Sequence, residues 1–160
     1  MSVNYINGNL LDSDADFICH QVNCRCKMNA GVAKAIRNKW PMVYNVYEAR
    51  FYTLPPLTAP IDFMGTIQVV EISDYYTLPK RQRVINMFAQ MDYGHDGKRY
   101  TSYDSFWSCL GHIKEIAPKG SKIAFPDHIG CGFGGANWNV IRAMIEEVLG
   151  TGYEVYIIKY

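Results

Sequence analysis

Apolar residues along the chain follow two different spacings. Between Ala30 and Trp40 the positions Val32, Ala33, Ile36 and Trp40 fall on one face of a helix. Phe106, Leu110, Ile113 and Ile116 repeat in the same way, after a Thr101 or Ser102 that can cap the helix start, with Gly120 ending it. Trp138, Ile141, Ile145 and Val148 do so again within a helix from about Asn137 to Leu149, stopped by Gly150. Met42–Phe51 reads as a further helix with Pro41 in its first turn. Short apolar runs at Val3–Ile6, Ala15–Val22, Gly65–Ile72, Arg83–Phe88, Lys122–Phe125 and Val155–Ile158 read as strands. The order is β-β-α-α-β-β-α-β-α-β. It predicts one α/β domain over residues 1–160, three-layered as α/β/α, with a mixed central sheet. Ligands of such folds sit outside the carboxyl ends of strands.

The segments between these elements differ in kind. Leu54–Ile61 is a short proline-rich connector, and Tyr93–Tyr100 is a polar glycine loop. Two others, Asn23–Ala33 and Ile129–Trp138, each follow a strand and open into a helix. The second holds Gly130, Gly132, Gly134 and Gly135. Glycine permits close backbone approach and positive φ, and N–H groups at a helix start attract anions. Side by side, the two loops would clamp a diphosphate.

Composition narrows the reading mainly by exclusion. The formal net charge of +1 gives no broad nucleic-acid footprint, and Lys80, Arg81 and Arg83 read as a solvated turn. The opening MSVNYINGN has neither a basic n-region nor an apolar h-region. No apolar run approaches the roughly 18 residues of a membrane helix. A cytoplasmic location without a membrane partner is expected. The cysteines Cys19, Cys24, Cys26, Cys109 and Cys131 are odd in number and lack a secreted-framework spacing, so reduced thiols are expected. Tyrosines number 12, which suits both core packing and ligand stacking.

Three constellations could carry chemistry. The Cys19–His20–Cys24–Cys26 spacing is not a usual zinc pattern, and adjacent strand residues point to opposite faces, so no metal is expected. Cys131 lies in a glycine loop before a helix, where a thiol can be activated, but no base is assigned to it beyond nearby His128. The preferred role for Cys131 is a small residue in a phosphate loop. His20, three residues before Asn23, stands at the mouth of the first loop. It reads either as a proton carrier near neutral pH or as a histidine fixed by hydrogen bonds at a strand end. No G-x-x-x-x-G-K-[ST] occurs, and no G-x-G-x-x-G opens the first helix.

Taken jointly, INGNLL, ADFICHQVNC with NAGVAKAI, and IGCGFGG resemble the motifs of macrodomains, the ADP-ribose-binding α/β/α modules, over nearly the whole chain. FAQMDYGHDGKRYTSY, and IGCG before a Trp-bearing helix, are similar to the branch of terminal ADP-ribose glycohydrolases and ADP-ribose-1″-phosphate phosphatases, near bacterial and phage proteins. The resemblance implies a site made of Asn9 and Leu10 at adenine, Asn23 at the distal ribose, and Asn29, Ala30, Gly31 and Val32 on the first phosphate loop. It places Gly130, Cys131, Gly132, Phe133 and Gly134 on the second phosphate loop, and Tyr160 (or Tyr156) near adenine. His20 matches a histidine of the phosphatase branch, with Asp127 or Asp92 as acidic partner by position. The glycohydrolase branch's catalytic aspartate falls on Gly134, and its lysine falls near Ala89 or Gln90. The implied partner is ADP-ribose or an ADP-ribosyl derivative, with nucleic acid only as a modified substrate and no cofactor. The implied activity is phosphatase-type or de-ADP-ribosylating hydrolysis; the alternative is a non-catalytic binder or sequestering protein for ADP-ribose or a related nucleotide signal.

Overall fold

The computed structural model describes residues 3–53, 60–72 and 81–160. Most of the proline-rich connector, and Lys80 of the basic turn, lie outside the described residues. The strands are β1 (Val3–Asn7), β2 (Phe17–Asn23), β3 (Ile67–Glu71), β4 (Arg83–Gln90), β5 (Lys122–Pro126) and β6 (Glu154–Lys159). The helices are α1 (Gly31–Lys39), α2 (Pro41–Thr53), α3 (Tyr103–Ile116) and α4 (Trp138–Leu149), with 3-10 turns at Leu10–Asp12 and Pro60–Phe63. The element order is the one the sequence pattern predicts. No helix among the described residues is long and apolar enough to cross a membrane.

The strands form a six-stranded sheet in the order β1-β6-β5-β2-β4-β3. Among these strand pairings only β3–β4 is antiparallel, so the sheet is mixed. β2 lies in the middle, and its residues are buried apart from half-buried Gln21, as a strand covered on both faces should be. Alternation then sorts its side chains. Phe17 and Cys19 join a core with Phe106, Leu110, Ile113, Ile141 and Ile145, which puts α3 and α4 on that face. Ile18 and Val22 join Ile36, Val43 and Tyr47, which puts α1 and α2 on the other. The result is the expected α/β/α stack.

Several local expectations shift. Val32 is exposed, although its spacing matches the buried Ile36, because it borders open cavities at the start of α1. Ile116 is likewise exposed, at the last position of α3. Ser102, not Thr101, caps α3, its hydroxyl accepting from Ser105 N–H. Gly150 ends α4 without a left-handed backbone: its φ is −65°, and a Cβ there would meet the Glu146 carbonyl oxygen. The left-handed residue is Gly152, with φ +90°.

The parallel strands β2, β4 and β5 all end at one edge of the sheet. The loops leaving them converge there. A register shift between Val22 and Asn23 brings Asn23 opposite Gln90 and turns the end of β2 towards the converging loops.

Candidate functional site

Three confluent cavities run along that edge. The first, about 340 Å³, is walled by Asn23, Asn29, Ala30, Gln90, Tyr93, His95 and Phe133. The second, about 580 Å³, lies between Gly31–Ala33 and Gly130–Gly134 and touches His20, Asp127 and His128. The third, about 610 Å³, is walled by Asn9, Leu10, Val32, His128, Ile158 and Tyr160. The first two share Ala30, Ala33, Phe133 and Gly134, and the last two share Gly31, Val32, Asp127 and His128. Together they make one cleft, long enough for a dinucleotide-sized ligand.

One wall is the start of α1. Its N-cap is Ala30, which offers no side-chain cap bond. The N–H groups of Gly31, Val32 and Ala33 therefore face the second cavity without a protein acceptor among the described residues. Uncapped N–H groups and the helix dipole favour an anion here. Gly31 has φ +57°, a left-handed geometry that suits glycine at the turn into the helix.

The opposite wall is the β5–α4 loop. Its backbone is closed on itself by Cys131 N–H to His128 O, Gly135 N–H to Gly132 O and Ala136 N–H to Gly130 O. Tyr100 and Thr101 N–H groups hold Gly134 O, and the Thr101 hydroxyl donates to Gly130 O at 2.9 Å. The N–H groups of Gly132, Phe133 and Gly134 are left over by these bonds among the described residues. Gly134 is glycine for lack of room: a Cβ would lie 2.5 Å from Gly130 O and 2.6 Å from Thr101 Oγ1. No carboxylate fits at this position. Gly132 differs, since a Cβ there meets nothing within 4 Å.

Between the walls, Gln21 Nε2 donates to Gln90 Oε1 (2.7 Å) and to Thr101 Oγ1 (2.8 Å), tying β2 to the end of β4 and to the segment before α3. At the first cavity, Asn23 organises its own loop. Its Oδ1 accepts from Arg25 N–H and from the Tyr47 hydroxyl, and its Nδ2 donates to Lys27 O. One Nδ2 hydrogen is left for a ligand. Tyr47, sealed in the aromatic cluster with Phe51 and Phe88, anchors this arrangement from α2. Asn9 is similarly half-used, its Oδ1 accepting from Leu11 N–H at 3.0 Å.

His20 borders the second cavity yet is only 1 % exposed. Its Nε2 faces Asn86 Oδ1 at 2.5 Å, and Asn86 gives its Nδ2 to Gln68. An amide oxygen only accepts, so Nε2 carries the proton and Nδ1 is left as a lone pair without a partner among the described residues. Burial pushes the imidazole down to about 4, partly offset by the Asn86 bond. Of the two readings of His20, this geometry matches the histidine fixed by hydrogen bonds at a strand end, a neutral acceptor under the cleft.

Asp92 and Tyr156, offered as alternatives, do not border the cleft, and neither does Cys131. It packs against the α3/α4 core, its thiol 3.4 Å from Ile129 O, and burial with nearby Asp127 pushes it up to about 11. Its contribution is backbone shape. Asn9, Leu10, Asn23, Asn29, Ala30, Gly31, Val32, Gly130, Gly132, Phe133, Gly134 and Tyr160 all line the three cavities. No sequence pattern points to Gln21, Tyr93 or His95 as site residues, and Gln90 and Thr101 carry signals of other kinds. Only tertiary pairing brings these five to the site.

No family model and no curated protein matches this chain by sequence. Solved structures do match its shape. A protein of unknown function from Bacteroides thetaiotaomicron is 24% identical with TM-score 0.80, over 100% of this chain and 99% of its own. The macrodomain of Mycobacterium tuberculosis DarG is 21% identical with TM-score 0.72, over 98% and 96%. Thermosipho africanus DarTG, solved in complex with ADP-ribose, is 20% identical with TM-score 0.74, over 98% of this chain and 42% of that one.

Proposed function

We propose that this chain, which has the macrodomain fold, binds ADP-ribose or an ADP-ribosyl derivative in the cleft, with adenosine in the third cavity, diphosphate in the second and distal ribose in the first. The observation that carries the proposal is the second cavity. It is walled on one side by the uncapped start of α1 and on the other by a pinned glycine loop, and its two ends open into cavities of nucleoside size. The ADP-ribose complex of a protein with this fold supports the choice of ligand. Isothermal titration with ADP-ribose tests it. Binding at micromolar concentration is expected in the wild type and its loss in Gly132→Glu, whose side chain enters open space in the anion cavity. Silence in the wild type would sink the proposal.

A second reading is that the cleft also processes its ligand, as an ADP-ribose-1″-phosphate phosphatase or a de-ADP-ribosylating hydrolase. The observation favouring it is the unpartnered Nδ1 of His20 beneath the anion cavity. A neutral imidazole held low by burial orients a water or a ligand hydroxyl by accepting its hydrogen bond. It is ill-suited to carry a proton. Phosphate release from ADP-ribose-1″-phosphate, compared between wild type and His20→Ala, decides it; equal turnover removes His20 from the reaction.

A further inference from the structure

His128 is held in place from three directions. Its backbone is left-handed, with φ +59°, a conformation that glycine or asparagine would take with less strain. Its Nδ1 lies 3.0 Å from Asp127 Oδ2. Its ring stacks on Trp138, with centroids 5.0 Å apart and planes 19° apart. A turn needs none of this from the side chain, since the turn's own bonds, Ile129 N–H to Pro126 O and Cys131 N–H to His128 O, are made by backbone. The imidazole is nevertheless exposed, and it borders both the second and the third cavity. It stands where a diphosphate in one would join the adenosine in the other.

We propose that His128 is a further ligand-binding residue whose Nε2 donates to the diphosphate of an ADP-containing ligand. The inference rests on the reading of the cleft given above. A carboxylate oxygen 3.0 Å from Nδ1 favours the tautomer that carries its proton on Nδ1. Nε2 is then a lone pair in the neutral ring and a donor only in the imidazolium. A phosphate oxygen offers no proton, so the contact requires the charged ring and gives a charge-assisted bond. Binding through Nε2 therefore adds a proton to any ring that is neutral beforehand. The other titratable groups on these two cavities are Asp127 beside His128, Lys159 and Tyr160 at the end of β6, and His20 on β2. α1 contributes only Gly31, Val32, Ala33 and Ala35 besides its cap, and α4 meets the ring through Trp138, none of which titrates.

The test is calorimetry of ADP-ribose, ADP and adenosine in buffers of different ionisation enthalpy, with wild type, His128→Asn, His128→Gln and Asp127→Asn. Any proton uptake by wild type is expected with ADP-ribose and with ADP, and none with adenosine. His128→Asn should bind the two diphosphates on the order of tenfold more weakly and lose the uptake. It should melt at the same temperature or higher, because asparagine relieves the left-handed strain. His128→Gln should lose the uptake and recover only part of the affinity. Asp127→Asn should reduce both. If wild type binds ADP-ribose and His128→Asn and His128→Gln match it in affinity, the role of His128 is overturned while the cleft assignment stands. If wild type binds neither ADP-ribose nor ADP, both fall.

Discussion

The two walls of the anion cavity look alike in sequence, each a glycine-bearing stretch between a strand and a helix, but they work differently. The α1 wall is a helix start with no cap of its own. Ala30 leaves the first N–H groups open to the cavity. The α4 wall is not a helix start in that sense. Asn137 caps α4, its side chain accepting from Asn139 N–H, and the cavity is faced by the loop before the cap. The first wall attracts an anion through orphan donors and a dipole. The second offers a fixed backbone shape, imposed from outside by Thr101 and Tyr100. One wall gives up helix stability to stay open. The other draws its rigidity from a neighbouring loop.

Sharp tests of that difference follow in order of size. Gly134→Asp attacks the second wall where it has no space, so about 3 kcal/mol of stability should go, together with ADP-ribose binding and without any hydrolase activity. A denaturant midpoint lowered at constant slope checks it; an unaltered midpoint would show that the loop yields.

The floor between the walls should show itself in acid. The unfolded chain protonates His20 near its ordinary value of roughly 6.5, whereas the folded protein does so only at about 4. The unfolded state thus binds more protons in that window. The stability this neutral, buried ring contributes is complete above the window and is lost as pH falls through it. The loss is on the order of 3 kcal/mol. His20→Asn should flatten the acid limb of a stability–pH curve, and an identical limb would refute the account.

Thr101→Val removes the hydroxyl that holds Gly130 O and receives Gln21 Nε2. A cost of about 1–2 kcal/mol is expected, with ADP-ribose affinity falling alongside and Thr101→Ser restoring both in melting and titration experiments. Retained affinity at reduced stability would mean that the loop holds its shape unaided.

The smallest effect separates the walls most cleanly. Ala30 has the extended backbone of an N-cap, φ −146° and ψ 158°. Ala30→Ser should stabilise the protein by ~1 kcal/mol by capping α1 while weakening ADP-ribose severalfold, because serine takes up N–H groups the ligand needs. The same gain with no loss of affinity would show that those donors are not used.

Much of this architecture is legible in the periodicity of the chain. The helices centred on Ile36, Leu110 and Ile145 follow from spacing, since one apolar stripe must find a core. The central position of β2 follows from its near-continuous burial-prone run. The departures have physical causes. Val32 keeps the rhythm of α1 but sits in its first turn, where it lines the cleft and not the core. Cys131 sits inside a phosphate loop in sequence, but its side chain turns into the α3/α4 core. His20 reads as a residue at a loop mouth, and the Asn86–Gln68 chain, from strands far off in sequence, makes it a buried acceptor.

The sequence by itself determined the element order, the α/β/α class and the two glycine loops, because these depend on local periodicity and on backbone freedom at single residues. The tertiary structure decided the strand order β1-β6-β5-β2-β4-β3, and with it which loops share an edge. Thr101 reaches Gly130, Gln21 reaches Gln90, and His128 joins two cavities only because strands distant in the chain pair side by side. Such contacts leave no periodic trace in a sequence. They turn two glycine loops into two unlike walls.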